Sequence, residues 1–160
     1  MSDKAAELTA EILEAQEAQL VFPGFSEDTA FALGGALVAA ARAQAAPVVI
    51  NIRTPDRTLF HAALPGSAPD NDHWARRKSN IVLRKHCASM LVGMRLEAAG
   101  KQPGPDLGLD PLDFAAHGGS FPIRVAGVGV IGAITVSGLA SAEDHAMIVE
   151  TLSDFLARHA

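Results

Sequence analysis

Leu8, Ile12 and Ala15 recur at helical spacing among Glu7, Glu11, Glu14 and Glu17, so the chain is expected to open with an amphipathic surface helix that puts these three apolar residues inward. Leu20-Val21-Phe22, closed by Pro23-Gly24, predicts a short strand. Ser26 followed by Glu27 and Asp28 is a helix start, because a hydroxyl accepts an orphan backbone N–H there and carboxylates suit the positive end of the helix. The segment Ala30 to Ala41 is apolar nearly all round and predicts a buried helix. Gly34-Gly35 in its middle costs about 1 kcal/mol per glycine relative to alanine, which close packing against a sheet would offset.

Val48–Arg53 and Arg57–Ala63 are β-branched or apolar runs separated by Thr54-Pro55-Asp56, and predict an antiparallel pair. Leu64 to Asp72 reads as a loop, after which Asp70 or Asp72 is expected to cap one long helix running to Gly100. At 100° per residue, Trp74, Ile81, Ala88 and Val92 form one apolar stripe of that helix, and Leu83, Cys87, Met90 and Met94 form another roughly opposite. Two buried sides imply two partners, so the pattern predicts a homo-oligomer with Trp74, Met90 and Met94 at the subunit interface. Arg77, Arg84 and Arg95 fall between the stripes, with Lys78 and Lys85 flanking the first; they read as solvated cations with snorkelling stems, as an anion site, or as a subunit-interface ion pair with the acidic first helix. After a Gly/Pro loop from Lys101 to Pro111, strands are expected at Asp113–Ala116, Phe121–Val125 and Val128–Val136. Ser141, Glu143 and Asp144 begin a final helix with Ile148, Leu152 and Phe155 inward.

The length of 160 residues suits one α/β (α+β) domain over 1–160, burying roughly 68–70% of its unfolded surface. The net charge of −5 is spread along the chain, which argues against nucleic-acid or anionic-membrane partners. The dozen apolar residues before Arg42 fall short of the about 20 that a membrane span needs. Cys87 is the only cysteine, so one chain can form neither a disulfide nor a multi-cysteine metal centre. With an acidic rather than basic start, the chain is expected to be cytoplasmic.

His117 is the leading candidate for chemistry, since Gly118-Gly119-Ser120-Phe121 follows it and small residues admit a ligand to the backbone and expose N–H groups to an anion. A small carboxylate or a haem propionate would suit that nest, with Arg77 or Arg84 as counter-ion. His117, His86, His61 and Cys87 are each chemically able to be a haem axial ligand. Asp70, Asp72 and His73, and likewise Glu143, Asp144 and His145, sit where helix starts want acidic residues, so no metal is expected. Gly127-x-Gly129-x-x-Gly132 lies within an expected strand, the wrong context for a dinucleotide fingerprint. Ser137-Gly138 lacks the G-x-S-x-G elbow, no catalytic residue is nominated, and an enzyme is not favoured.

Three segments together carry a family resemblance: the run Leu59 to Gly66, Asp70 to Arg84 with its Asn-Asp-x-Trp-x-Arg-Arg-Lys pattern, and His117 to His145. On them the chain resembles the HbpS/GlcG-like, or haem-degrading domain, family, in its branch of uncharacterised protein family 0303. The resemblance implies a profilin-like domain with a central, mainly antiparallel sheet of about five strands, helices on its faces, and closed homo-oligomers. Relatives are associated variously with haem binding, haem sensing, glycolate use and a cobalamin adenosyltransferase, and a shared fold does not choose among these. The expectation is an oligomeric cytosolic protein that binds a small acidic ligand or a haem-like tetrapyrrole. The alternative is a non-catalytic assembly or stress-linked adaptor without small-molecule chemistry.

Overall fold

In a computed structural model, which describes residues 7–159, the chain forms five α-helices and a four-stranded antiparallel sheet. The helices are α1 (Ala10–Gln19), α2 (Glu27–Ala43), α3 (Pro69–Lys85), α4 (Ser89–Ala98) and α5 (Ser141–Arg158). The strands are β1 (Val49–Arg53), β2 (Thr58–Ala63), β3 (Ser120–Val125) and β4 (Gly129–Ser137), in spatial order β2-β1-β4-β3.

The sheet has two unlike faces, as strand alternation requires. Ile50 and Ile52, Ile134 and Val136, and Phe121 and Ile123 share one core with Leu13 of α1, Leu33 and Leu37 of α2, and Ile148, Leu152 and Phe155 of α5. The α5 stripe therefore lies where its spacing predicts. On the opposite face the register aligns His61, Asn51, Thr135 and Ser120 as a polar row across all four strands. Helix α3 lies over this face, joined by the Ser79–Thr135 hydroxyl pair at 2.8 Å, while Ile81, Val82, Val92, Leu109 and Ala133 form a smaller core beside it.

Several expectations are corrected. Asp113–Ala116 is no strand: Asp113 and Phe114 both donate backbone N–H groups to Asp110 O, and Ala115 N donates to Arg77 O, so the segment folds against α3. Leu20–Phe22 contributes only a single parallel bridge, Phe22 to Val125, which leaves four strands rather than five. Helix α1 buries Leu13 and Glu17 instead of Ile12 and Ala15, because the Glu17 carboxylate accepts from Ala88 N at 3.1 Å and lies 3.5 Å from Arg124 Nη2. Neither Asp70 nor Asp72 caps α3; Asn71 Oδ1 accepts from Ala68 N at 2.8 Å and Asp72 pairs with His61.

The expected long helix is two. His86 takes the left-handed conformation at φ +58°, ending α3, and α4 begins three residues later. No glycine or proline marks the break. It is held from outside, as Arg124 Nη2 donates to His86 O at 2.9 Å and Glu17 receives the free Ala88 N–H. The two apolar stripes meet both cores of the chain: Ile81 and Val92 lie in the smaller core with Leu83 packed on it, Ala88 lies in the main core with Met90 and Met94 packed on it, and Cys87 touches both. Most of the two-sided pattern is thus met within one chain, while Trp74 belongs to neither core.

Candidate functional site

Helix α3 supplies the platform of the site. Trp74 meets the His117 ring edge to face at 5.3 Å between centroids, and the Arg77 guanidinium lies 4.5 Å from the centre of the same Trp74 ring. Arg77 Nε donates to Pro111 O at 3.0 Å, which leaves its two Nη groups without a hydrogen bond among the described residues. The His117 ring is exposed and likewise makes no hydrogen bond among them.

His117 stands between two cavities. On one side is an open cleft of about 920 Å³, with Arg77, Met90, Met94, Lys101 and Phe114 in its wall. On the other is a recess of about 230 Å³ lined by Asn71, Trp74, Lys78, Ser137 and Asp144 among others. The cleft lies within the volume range of small-molecule sites and mixes apolar walls with a few polar groups, as such sites do.

The glycines after His117 do a different job from the expected one. A Cβ on Gly118 would run into Ser141 O, and one on Gly119, at φ +128°, would run into Lys78 Nζ. Both residues are buried against the chain's own atoms, so they form no open nest, and only Gly118 touches the cleft. Ser120 is buried, with its N–H on Ser89 Oγ at 3.0 Å and its hydroxyl on Thr135 at 2.8 Å. Phe121 belongs to the main core, so neither residue faces a cavity. The arginines also part company. Arg84 lies over the Phe114 ring at 5.7 Å and is in neither cavity wall, and Arg95 pairs with Glu14 at 3.1 Å. Of the residues singled out from sequence, the cleft therefore collects His117, Gly118, Arg77, Met90 and Met94, while Trp74 borders the recess.

Lys78 is not the solvated cation that the charge pattern of the helix suggests. Its side chain is 4% exposed, and Nζ donates to Gly118 O at 3.1 Å, Val136 O at 3.0 Å and Asp144 Oδ2 at 3.2 Å. Burial pushes the ammonium down and the Asp144 carboxyl up, and their mutual attraction opposes both shifts. Asp144 is fixed further by N–H groups of Leu139 and Gly138. The signal was present in the sequence: Ala75, Lys78, Ser79 and Val82 follow the spacing of one helix face, and all four are buried.

The other candidate iron ligands lie elsewhere. His61 is engaged by Asp72 at 3.1 Å and Asn51 at 3.1 Å, His86 is at the helix break, and neither lines a cavity. Burial pushes the Cys87 thiol up, which disfavours the reactive thiolate. His145 is buried, pushed down to about 4 by desolvation, and bonded to Gln16 at 2.7 Å. Among the described residues no three His, Cys, Asp or Glu side chains converge as a metal site, and no helix is long and apolar enough to cross a membrane.

Comparison with known proteins agrees with this fold. Residues 25–153 match the family model described as haem degrading protein, HbpS-like. A UPF0303 protein of Streptomyces coelicolor is 56% identical over 144 residues, covering 90% of this chain and 91% of that protein. Among solved structures, the crystal structure of Ybr137w protein superposes with a TM-score of 0.84 at 30% identity, over 97% of this chain and 91% of that one. The crystal structure of a PduOC:heme complex has the same fold at a TM-score of 0.67 and 20% identity, over 84% of this chain and 95% of that one.

Proposed function

The chain belongs to the HbpS-like family, and from that premise we propose that it binds haem or a related acidic tetrapyrrole in the cleft beside His117. The carrying observation is an imidazole with no hydrogen-bond partner among the described residues, standing in the wall of a cleft of about 920 Å³ that also holds apolar side chains, the cations Arg77 and Lys101, and Glu97. This donor set fits the group. His117 would hold the iron, Met90, Met94 and Phe114 would meet the macrocycle, and Arg77 and Lys101 would meet the propionates. When bound, haem supplies an iron centre open to redox change or to a further small ligand.

The chain's own part is binding and orientation. Trp74 limits the rotation of His117, and the bond from Arg77 Nε to Pro111 O holds the guanidinium while leaving Nη groups for a carboxylate. The relative solved as a heme complex lends support by its fold. A small carboxylate at Arg77 is the lesser occupant of the same site. The single, half-buried thiol suits a reducing cytoplasm, and closed homo-oligomers, which the family resemblance implies, complete the proposal.

Haemin titration followed in the Soret region tests it. The expected result is saturation at a fixed stoichiometry per chain, lost in His117→Ala and weakened by roughly 10- to 150-fold in Arg77→Ala, since a charge-assisted hydrogen bond contributes about 1.5–3 kcal/mol. Binding that never saturates, or that is indifferent to His117, would overturn the reading in favour of the adaptor alternative. A monomeric mass by light scattering would remove the self-association.

A further inference from the structure

We infer that Lys78 is the positioning residue of the His117 site, acting through the backbone of the Gly118-Gly119 turn. The inference rests on the reading that His117 meets the ligand. Lys78 borders the recess beside His117, yet an ammonium has three N–H donors and all three are placed, on Gly118 O, Val136 O and Asp144 Oδ2. It has no donor left for a ligand. What those bonds do is tie α3, the turn after His117, the end of β4 and the start of α5 at one point.

The turn is shaped to receive this head group. Gly119 lacks the Cβ that would occupy the place of Lys78 Nζ, and its φ of +128° disfavours any other residue. Trp74, one helical turn before Lys78 on the same helix, meets the His117 ring itself. One rigid helix thus holds the ring with one side chain and the next peptide with another. An apolar side chain of similar length would fill the space without fixing the direction of the Gly118 carbonyl, and replacing a buried ion pair by neutral groups is often tolerated by the fold. Stability and positioning are therefore separable by experiment.

The test uses Lys78→Met/Asp144→Asn, which removes both charges and keeps an oxygen acceptor for the Leu139 N–H. Melting temperature, hydrogen exchange of the 117–120 amides and haemin affinity are measured on the full chain. A folded double variant should show exchange in 117–120 faster by about tenfold or more, and haemin binding weaker by about tenfold with a displaced Soret band. Unchanged exchange and affinity in a folded variant would overturn the inference and leave the pair a structural one. If wild type fails to bind haemin, the functional reading fails, whereas the exchange comparison still decides whether Lys78 fixes the turn. Should the double variant not fold, nitrogen-15 NMR of wild type decides: slowly exchanging Lys78 ammonium protons support the three-bond clamp, and rapid exchange overturns it.

Discussion

His145 has one ring nitrogen satisfied, by Gln16 Oε1 at 2.7 Å, while Nδ1 is buried with no partner. Protonation would place a donor there with nothing to receive it, and burial pushes this group from 6.5 down to about 4. With a folded value below the unfolded one, the unfolded chain binds the extra proton between these limits. The stabilisation is then complete above pH 6.5 and is lost as pH falls toward 4, a difference of about 3 kcal/mol. Urea unfolding from pH 7 to 4.5 should show that decline in wild type and a shallower one in His145→Gln. Parallel declines would show that His145 does not carry it. At this scale legibility depends on where partners lie along the chain. His117 stands out beside its glycines, whereas Lys78 finds its acceptors 40, 58 and 66 residues away, so the helical spacing that marks it as buried does not show what it binds.

Helix α2 shows how one element sorts two adjacent residues of one type. Gly34 faces the sheet, where a methyl would strike the Phe60 ring, while Gly35 faces open space with nothing within 4 Å. Gly34→Ala should destabilise by about 1–3 kcal/mol through overpacking, and Gly35→Ala should stabilise by up to about 1 kcal/mol through helix propensity. Thermal melts check the opposite signs, and equal shifts would contradict the packing described. Elements set by local chemistry were legible, as with the Ser26 start of α2, where hydroxyl and backbone groups of Ser26 and Thr29 cap each other, and with the β1–β2 hairpin. The α3–α4 break was not, because its causes, Glu17 and Arg124, come from α1 and β3. Phe114 and Ala115 invite a strand assignment for a similar reason. Their apolar character belongs to a loop folded on α3 rather than to a sheet.

The whole molecule follows from the unequal faces of its sheet. The apolar face carries the larger core under α1, α2 and α5, and the polar face lies under α3. The cleft is lined by Arg77 of α3, by residues of α4 from Met90 to Glu97, and by the loop from Gly100 to Gly118. Family resemblance implied this architecture, while the pattern along the chain supplied most elements and the His117 neighbourhood. The cleft's membership needed the tertiary fold, which discards Arg84 and brings in Lys101 and Phe114. The most direct measurement is a crystal structure of the protein grown with haemin, with iron located by its anomalous scattering. The account predicts one iron per chain in the cleft, at bonding distance from a His117 ring nitrogen and with a propionate on Arg77. Iron at another histidine, or none in a crystal whose protein saturates with haemin in solution, would contradict it.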